Sequence, residues 1–237
     1  MKILRKDAEQ TRQSLLAAGS AIFADKGYRD TTIAEICERA KANIAAVNYH
    51  FGDKETLYRE SWRHAFLKSI ATHPPDGGVA EDAPPEDRLR GQIAAILHRV
   101  ADQESKEFLI LLKEFANHTG LLKDLVLEEV RPIRIRMEAV LRQILGERAS
   151  KVQVRFCTIS ILTQCINAIV AGLTRTQGWE DEAESLKIDN IEEFIDHVVG
   201  FSLGGIASIR KTLQSPGGTR KSRGAGRKKA DLIANPV

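Results

Sequence analysis

The stretch from Thr31 to Phe51, TTIAEICERAKANIAAVNYHF, constrains this chain more than any other part of it. Thr32 is a good N-cap, and Glu35 three residues on completes a capping box, a reciprocal pair of bonds that opens a helix. Behind it Ile33, Ile36, Cys37 and Ala40 recur at i, i+3, i+4 and i+7, which makes one apolar helical face. Lys41-Ala42-Asn43 interrupts that face, and Asn43 is suited to cap a second helix. In the second helix Ile44, Val47 and Phe51 point one way, leaving Ala45, Ala46, Asn48 and Tyr49 on the other side. Two short helices separated by about three residues are the layout of a DNA-binding helix-turn-helix. The outward residues suit a groove, because asparagine can bond adenine in bidentate fashion, alanine methyls fit thymine methyls, and tyrosine can donate to a phosphate. A capped helix pair also occurs in ordinary helical cores. The flanks decide between the two.

Upstream, Thr11 to Lys26 reads as a helix that Gly27 ends, followed by Tyr28-Arg29-Asp30; downstream, Asp53-Lys54-Glu55 opens another. The text AAGSAIFADKGYRDTTIAEICERAKANIAAVNYHFGDKETLY, Ala17 to Tyr58, resembles the DNA-binding domain of the TetR family of transcriptional regulators. Its Gly-aromatic pair, threonine pair, Tyr-His-Phe end and lysine stand in one frame. There are two departures. Lys41 stands where the family usually has a turn glycine, so a different turn geometry is expected, and Asn48 stands where it often has tyrosine, which changes what a groove meets. Carried onto this sequence, the candidate DNA contacts are Thr31, Thr32, Asn43, Ala45, Ala46, Asn48, Tyr49, His50 and Lys54.

Charge divides the chain in the same sense. Residues 1–71 carry 12 basic and 9 acidic side chains, residues 72–213 carry 17 and 22, and residues 214–237 carry 6 and 1. A positive head and tail around an acidic body suit nucleic acid at the ends. The head is only mildly basic, so charge supports the reading without establishing it. Cys157 and Cys165 lie eight residues apart on one predicted helix, a rise of about 12 Å, and cannot bridge locally; free thiols suit a reducing cytoplasm. No apolar run reaches the roughly 18 residues of a membrane span, and Met1-Lys-Ile-Leu does not read as a signal peptide.

The first helix is expected from about Asp7 to Asp25, with Leu15, Leu16, Gly19, Ile22 and Phe23 inward. Lys2, Arg5, Lys6 and Arg12 flank it, either reaching phosphates or belonging to a solvated terminus. Asp53 caps a fourth helix with Leu57, Tyr58, Ser61, Trp62, Ala65 and Phe66 inward, and Lys54 beside its free amides makes a phosphate seat. His73 to Asp87 holds four prolines and two glycines and reads as a surface connection. Helical patterns follow over Arg88 to Gln103, Ser105 to Asn117, Leu121 to Leu145, Ser150 to Leu173 and Asn190 to Leu213. Pro132 predicts a kink or a helix boundary near Val130-Arg131. GWEDEAES reads as an acidic loop, and the basic tail after Leu213 as disordered.

The sequence shows no HExxH, GxSxG, P-loop or dinucleotide fingerprint, and the histidines have no partner at metal-ligand spacing; neither an enzyme nor a bound cofactor or metal is expected. Polar Thr158, Thr163, Gln164 and Asn167 sit among apolar neighbours, and a ligand, a water or a second subunit would satisfy such amides equally well. The resemblance implies that the body binds a small effector and dimerises. Candidate pocket residues are Ile96, Phe108, Leu112, Phe115, Ile133, Met137, Phe156 and Gln164, a stripe that plain core would also explain. The last helix is apolar nearly all round with a small edge of Gly200, Gly204 and Ala207. The resemblance places a four-helix dimer interface there, with Ile161, Cys165, Ala168, Phe194, His197, Phe201 and Gly204 as candidates. The expected protein is an all-α, two-domain, homodimeric DNA-binding regulator: 1–71 reads a double-stranded operator, and 72–213 takes an apolar or amphipathic effector and dimerises. An effector-independent architectural DNA-binding dimer is the alternative.

Overall fold

The structure is a computed structural model that describes residues 2–173 and 188–214, with side chains placed over 7–168 and 188–214. The side chains of Lys2, Arg5 and Lys6, the acidic loop and the basic tail beyond Gln214 lie outside the described residues. All regular structure among the described residues is helical: α1 (Lys2–Lys26), α2 (Ile33–Ala40), α3 (Ile44–Phe51), α4 (Lys54–Thr72), α5 (Pro85–Ala101), α6 (Glu107–Ala116), α7 (Lys123–Leu145), α8 (Lys151–Leu173) and α9 (Ile191–Gln214).

The helix ends follow from local chemistry. Gly27, at φ 78°, ends α1 in the left-handed region. Thr32 caps α2 with the full capping box, Asn43 caps α3 through Ala46 N–H (2.9 Å), and Asp53 caps α4 through Thr56 N–H (2.7 Å). Pro85 takes the first position of α5, where its missing N–H costs nothing, so that helix starts three residues before the expected Arg88. Ser150 and Gln153 form a second reciprocal cap at the start of α8.

Four of the sequence expectations are corrected or narrowed by packing. The helix α1 begins near the N-terminus, well before Asp7. Of the two outcomes expected at Pro132, a kink or a boundary between helices, the boundary does not occur, and α7 is one helix through it. Ile44 is not inward but 54% exposed, because α3 is entered at its first turn and only Val47 and Phe51 reach the core. In α6 the buried residues are Glu107, Ile110 and Glu114, while Phe115 of the expected apolar stripe is 73% exposed.

Two cores result. The first gathers Leu15, Phe23, Ile36, Val47, Leu57, Tyr58 and Trp62 of α1–α4 and also Ile110, Leu122 and Leu125. Phe23, Tyr28 and Tyr58 meet ring to ring at its centre, 4.8 Å between Phe23 and Tyr58. Gly19 lets α1 approach α4 closely, since a Cβ there would lie 2.4 Å from Ser61 Oγ; Ser20 Oγ donates to Ser61 O at 2.8 Å in the same contact. The second core packs α5, the later part of α7, α8 and α9 around Leu89, Ile93, Leu97, Val140, Leu141, Val154, Ile161, Cys165, Ile195 and Val198. Truncating any one fully buried large side chain in either core costs on the order of 2–5 kcal/mol.

Candidate nucleic-acid interface and the body behind it

The interface is built from α2, the turn after it, α3 and the start of α4. Glu35 is held from two sides: Lys26 Nζ donates to it at 2.5 Å, and Thr32 N–H at 2.8 Å. The Lys26 contact, then the Thr32 bonds, pull its carboxyl down to about 2. Lys41 ends α2 at φ 53°, ψ 40°, its N–H donating to Cys37 O and Glu38 O. This is the left-handed geometry a glycine would adopt, so the different turn expected from the lysine does not occur; the side chain is carried in a conformation that costs about 1 kcal/mol.

From that turn α3 projects Ala45, Asn48 and Tyr49 into solvent, Tyr49 being 80% exposed, while Ala46 and His50 are half-buried. Exposed Ile44 adds an apolar group beside them. Tyr49 stands edge-on to His50, 4.9 Å between rings. Lys54, at the first position of α4, lies 4.5 Å over the Tyr28 ring, and partial burial lowers its ammonium pKa. It is therefore seated over Tyr28 and within the field of Asp30 and Glu35. Arg12 lies over Phe51 at 5.4 Å and pairs with Glu60 at 3.2 Å, fixing α1 against α3 and α4.

Not every candidate is free to touch DNA. Thr31 is buried, and its hydroxyl donates to Gly27 O at 2.6 Å, so it shapes the turn before α2. Asn43 spends its carbonyl oxygen on the α3 cap, and Thr32 its hydroxyl on the capping box. Exposed Ala45, Asn48 and Tyr49, with His50 and Lys54 at the margin, are the groups left to face a ligand.

In the body the eight pocket candidates do not converge. Ile96, Met137 and half-buried Phe108 belong to the second core, and Ile133 packs against the first. Leu112 is half-buried and Phe115 exposed on α6. Phe156, 58% exposed, and Gln164 line an open groove between α8 and α9 with Ser160, Phe201 and Gly205. Gln164 donates to Ser160 O (3.1 Å) and Asn167 is exposed, so neither is the buried amide expected from the sequence. The reason is the register of α8, which turns Val154, Cys157, Thr158, Ile161 and Cys165 inward. Of the interface candidates, Ile161 and Cys165 are accordingly consumed by the chain's own core, and Ala168 is half-buried. Phe194 is half-buried against the second core, while His197, Phe201 and Gly204 are exposed on α9; the three rings stack in sequence at 6.4 and 6.2 Å. Phe201 is 67% exposed, and a Cβ on Gly200, Gly204 or Gly205 would meet nothing.

Residues 15–60 match the bacterial regulatory proteins of the tetR family, and residues 85–206, just over half the chain, match the C-terminal domain of the HTH-type transcriptional dual regulator CecR. The chain belongs to the TetR family, with a body of the CecR type. Over 50 residues it is 48% identical to the CecR regulator of Shigella flexneri, covering 21% of this chain and 22% of that one. Over 117 residues it is 29% identical to the regulator SrpR of Pseudomonas putida, covering 49% and 52%. The chain thus spans about half or less of these relatives' length. Among solved structures, a TetR-like regulator from Rhodococcus sp. RHA1 superposes with a TM-score of 0.60 at 16% identity, covering 83% of this chain and 96% of that one. AibR, in complex with isovaleryl coenzyme A and operator DNA, does so at 0.63 and 19%, covering 81% and 97%.

This TetR-family chain also carries buried charge that its sequence did not announce. Arg99 of α5 and Glu107 of α6 pair at 3.0 Å with both side chains buried, and Arg99 lies between the rings of Phe66 and Phe108. Burial pushes the Glu107 carboxyl up, with Arg99 pulling the other way. Glu114 accepts from Tyr58 Oη, Thr119 and Gly120 N–H, closing the α6–α7 turn onto α4. The available signal was the seven-residue spacing of the two glutamates, which puts both on one face of α6. Among the described residues no group of three or more His, Cys, Asp or Glu could hold a metal ion, and no helix is long and apolar enough to cross a membrane.

Proposed function

We propose that this chain is a homodimeric, sequence-specific DNA-binding regulator acting in the cytoplasm, a repressor that a small apolar or amphipathic molecule releases from its operator. The observation that carries the reading is α3: a capped, outward-standing helix whose free surface is Ala45, Asn48 and Tyr49. Asn48 reads a base edge, with adenine the best partner, and Ile44 and Ala45 meet thymine methyls. Tyr49 and Lys54 bind phosphate, Lys54 together with the free amides at the start of α4. Residues 1–71 supply this surface, residues 72–213 the effector and dimer contacts, and the basic residues of 214–237 a sequence-independent attraction.

The second subunit supplies the second recognition helix. The outer side of α8 and α9, with Phe156, Ile159, Ile166 and Phe201 exposed beside Gly200, Gly204 and Gly205, is the apolar face a partner would cover. Two recognition helices must lie about 34–36 Å apart to enter successive major grooves. A ligand that prefers a different spacing releases the DNA, and one with no such preference does nothing. The AibR structure, which holds an acyl coenzyme A and operator DNA in the same fold, supports an effector site in the body. Ile96, Phe108 and Met137 would line it. Gln92, whose Oε1 is buried with no partner, replaces Gln164 as the amide inside the body that a ligand can satisfy.

The test is Asn48→Ala, measured by fluorescence anisotropy against a set of single-base variants of a selected duplex. We expect preference to relax at one position per half-site, by about 1–3 kcal/mol, while Lys54→Ala weakens binding to all duplexes alike. Unchanged preferences in Asn48→Ala would remove its base-reading role.

A further inference from the structure

We propose that the unit that moves with the recognition helix is discontinuous: α6 and the first half of α7 travel with α1–α4, and the chain pivots within α7 at Pro132. The division concerns how the chain flexes and holds whether or not an effector binds.

Three independent observations place the boundary. The first is apolar packing. Ile110, Leu122 and Leu125 are buried in the same core as α1–α4, with Leu109, Leu121, Val126, Val130 and Ile133 packed around it. From Met137 onward α7 belongs to the other core, through Val140, Leu141, Ile144 and Leu145. Between Leu125 and Met137 no residue of α7 is fully buried. Helix α6 packs mainly on α1 and α4, and only its first turn reaches the other core, through Phe108.

The second is the set of polar links that α4 makes. Tyr58 Oη donates to Glu114 (3.1 Å), Arg59 to Leu121 O (2.5 Å), and Trp62 Nε1 to Glu107 O (3.2 Å). Arg63 pairs with Glu128 (3.0 Å) and Glu129 (2.7 Å). These partners lie on α6, on the α6–α7 turn or on the first two turns of α7, and the last precedes Pro132 by three residues. The third is the proline itself. Inside α7 it has no N–H for the Glu128 carbonyl, so the helix lacks one hydrogen bond where it passes between the cores, at an exposed position.

The N-terminal unit is otherwise joined to the body by the 73–84 segment, by the 102–106 turn, by Phe108 of α6 packed against the second core, and by one polar catch. Arg99 of α5 pairs with Glu107 of α6 and donates to Ser69 Oγ of α4 at 3.2 Å. Among the described residues it is the ion pair buried on both sides. A tilt of the α1–α4 unit therefore carries α6 with it, bends α7 at Pro132 and is resisted at Arg99.

Hydrogen exchange on the full chain, read by mass spectrometry, tests this without DNA or effector. In mild urea, α6 and residues 123–129 should open together with α4, and residues 137–145 with α5 and α8. Amides around 130–136 should exchange faster than those on either side. Pro132→Ala restores the missing bond and should slow exchange there by about tenfold, leaving 137–145 unchanged. The proposal is overturned if α6 opens with α5 and α8, or if the centre of α7 is as protected as its two halves. It is equally overturned if Pro132→Ala leaves local exchange unaltered. A chain that fails to bind DNA yet shows this pattern would refute the regulator reading and leave the hinge standing.

Discussion

Replacing Arg99 with methionine should strip the buried Glu107 of its counter-ion while keeping most of the packing between Phe66 and Phe108. Both partners are buried and 3.0 Å apart, and Glu107 Oε2 already has no hydrogen-bond partner. Breaking such a pair from one side costs about 3–5 kcal/mol, because the remaining charge stays desolvated. The loss has a definite pH dependence. Burial raises the Glu107 carboxyl above its usual 4.5, Arg99 opposes this, and removing Arg99 raises it further. A carboxyl raised on folding binds its proton more tightly in the native state. Its contribution is therefore complete below the unfolded value and is lost as pH rises through the folded one. In urea unfolding followed by tryptophan fluorescence, the deficit of Arg99→Met should be small near pH 5 and reach the full 3–5 kcal/mol near pH 8. The double replacement Arg99→Met, Glu107→Met should recover most of it. A deficit equal at both pH values, or a double variant as unstable as the single, would refute the argument.

Two further outcomes are expected. Lys41→Gly should stabilise the chain by about 1 kcal/mol, raising Tm by about 2–4 °C, since the left-handed turn is already formed; calorimetry showing no gain would mean that the lysine carries no strain there. Gly204→Leu adds a side chain that meets nothing within its own chain, so it should keep the helical fold but yield monomers in light scattering; a monomeric unmutated protein would defeat the dimer reading.

What could be read from sequence was local. Thr32, Glu35, Asn43, Asp53 and Gly27 act within four residues, and each acts in the structure as its chemistry dictates. Inward faces were legible where one helix meets one core, as in α1 and α4. They failed where a helix has two sides in play. The apolar stripe of α6 outscored its glutamates, yet Glu107 and Glu114 are buried because Arg99, Tyr58 and the Thr119-Gly120 turn receive them. No spacing rule within α6 contains those partners. Lys41 misled in the other direction, since two backbone bonds from its N–H fix the turn whatever side chain it bears. Phe156 and Gln164 share a groove with each other but not with the other pocket candidates, for a similar reason. The register of α8 depends on which stripe meets α5 and α7, and both of its faces are apolar.

The central claim, a dimer reading a specific duplex through α3, is tested most directly by selecting bound sequences from a pool of random DNA duplexes and sequencing them. The account predicts one enriched inverted repeat, its half-sites about one helical turn or a multiple of it apart, and loss of that enrichment in Asn48→Ala. Recovery of no enriched sequence, or of a lone half-site bound by one protomer, would contradict it.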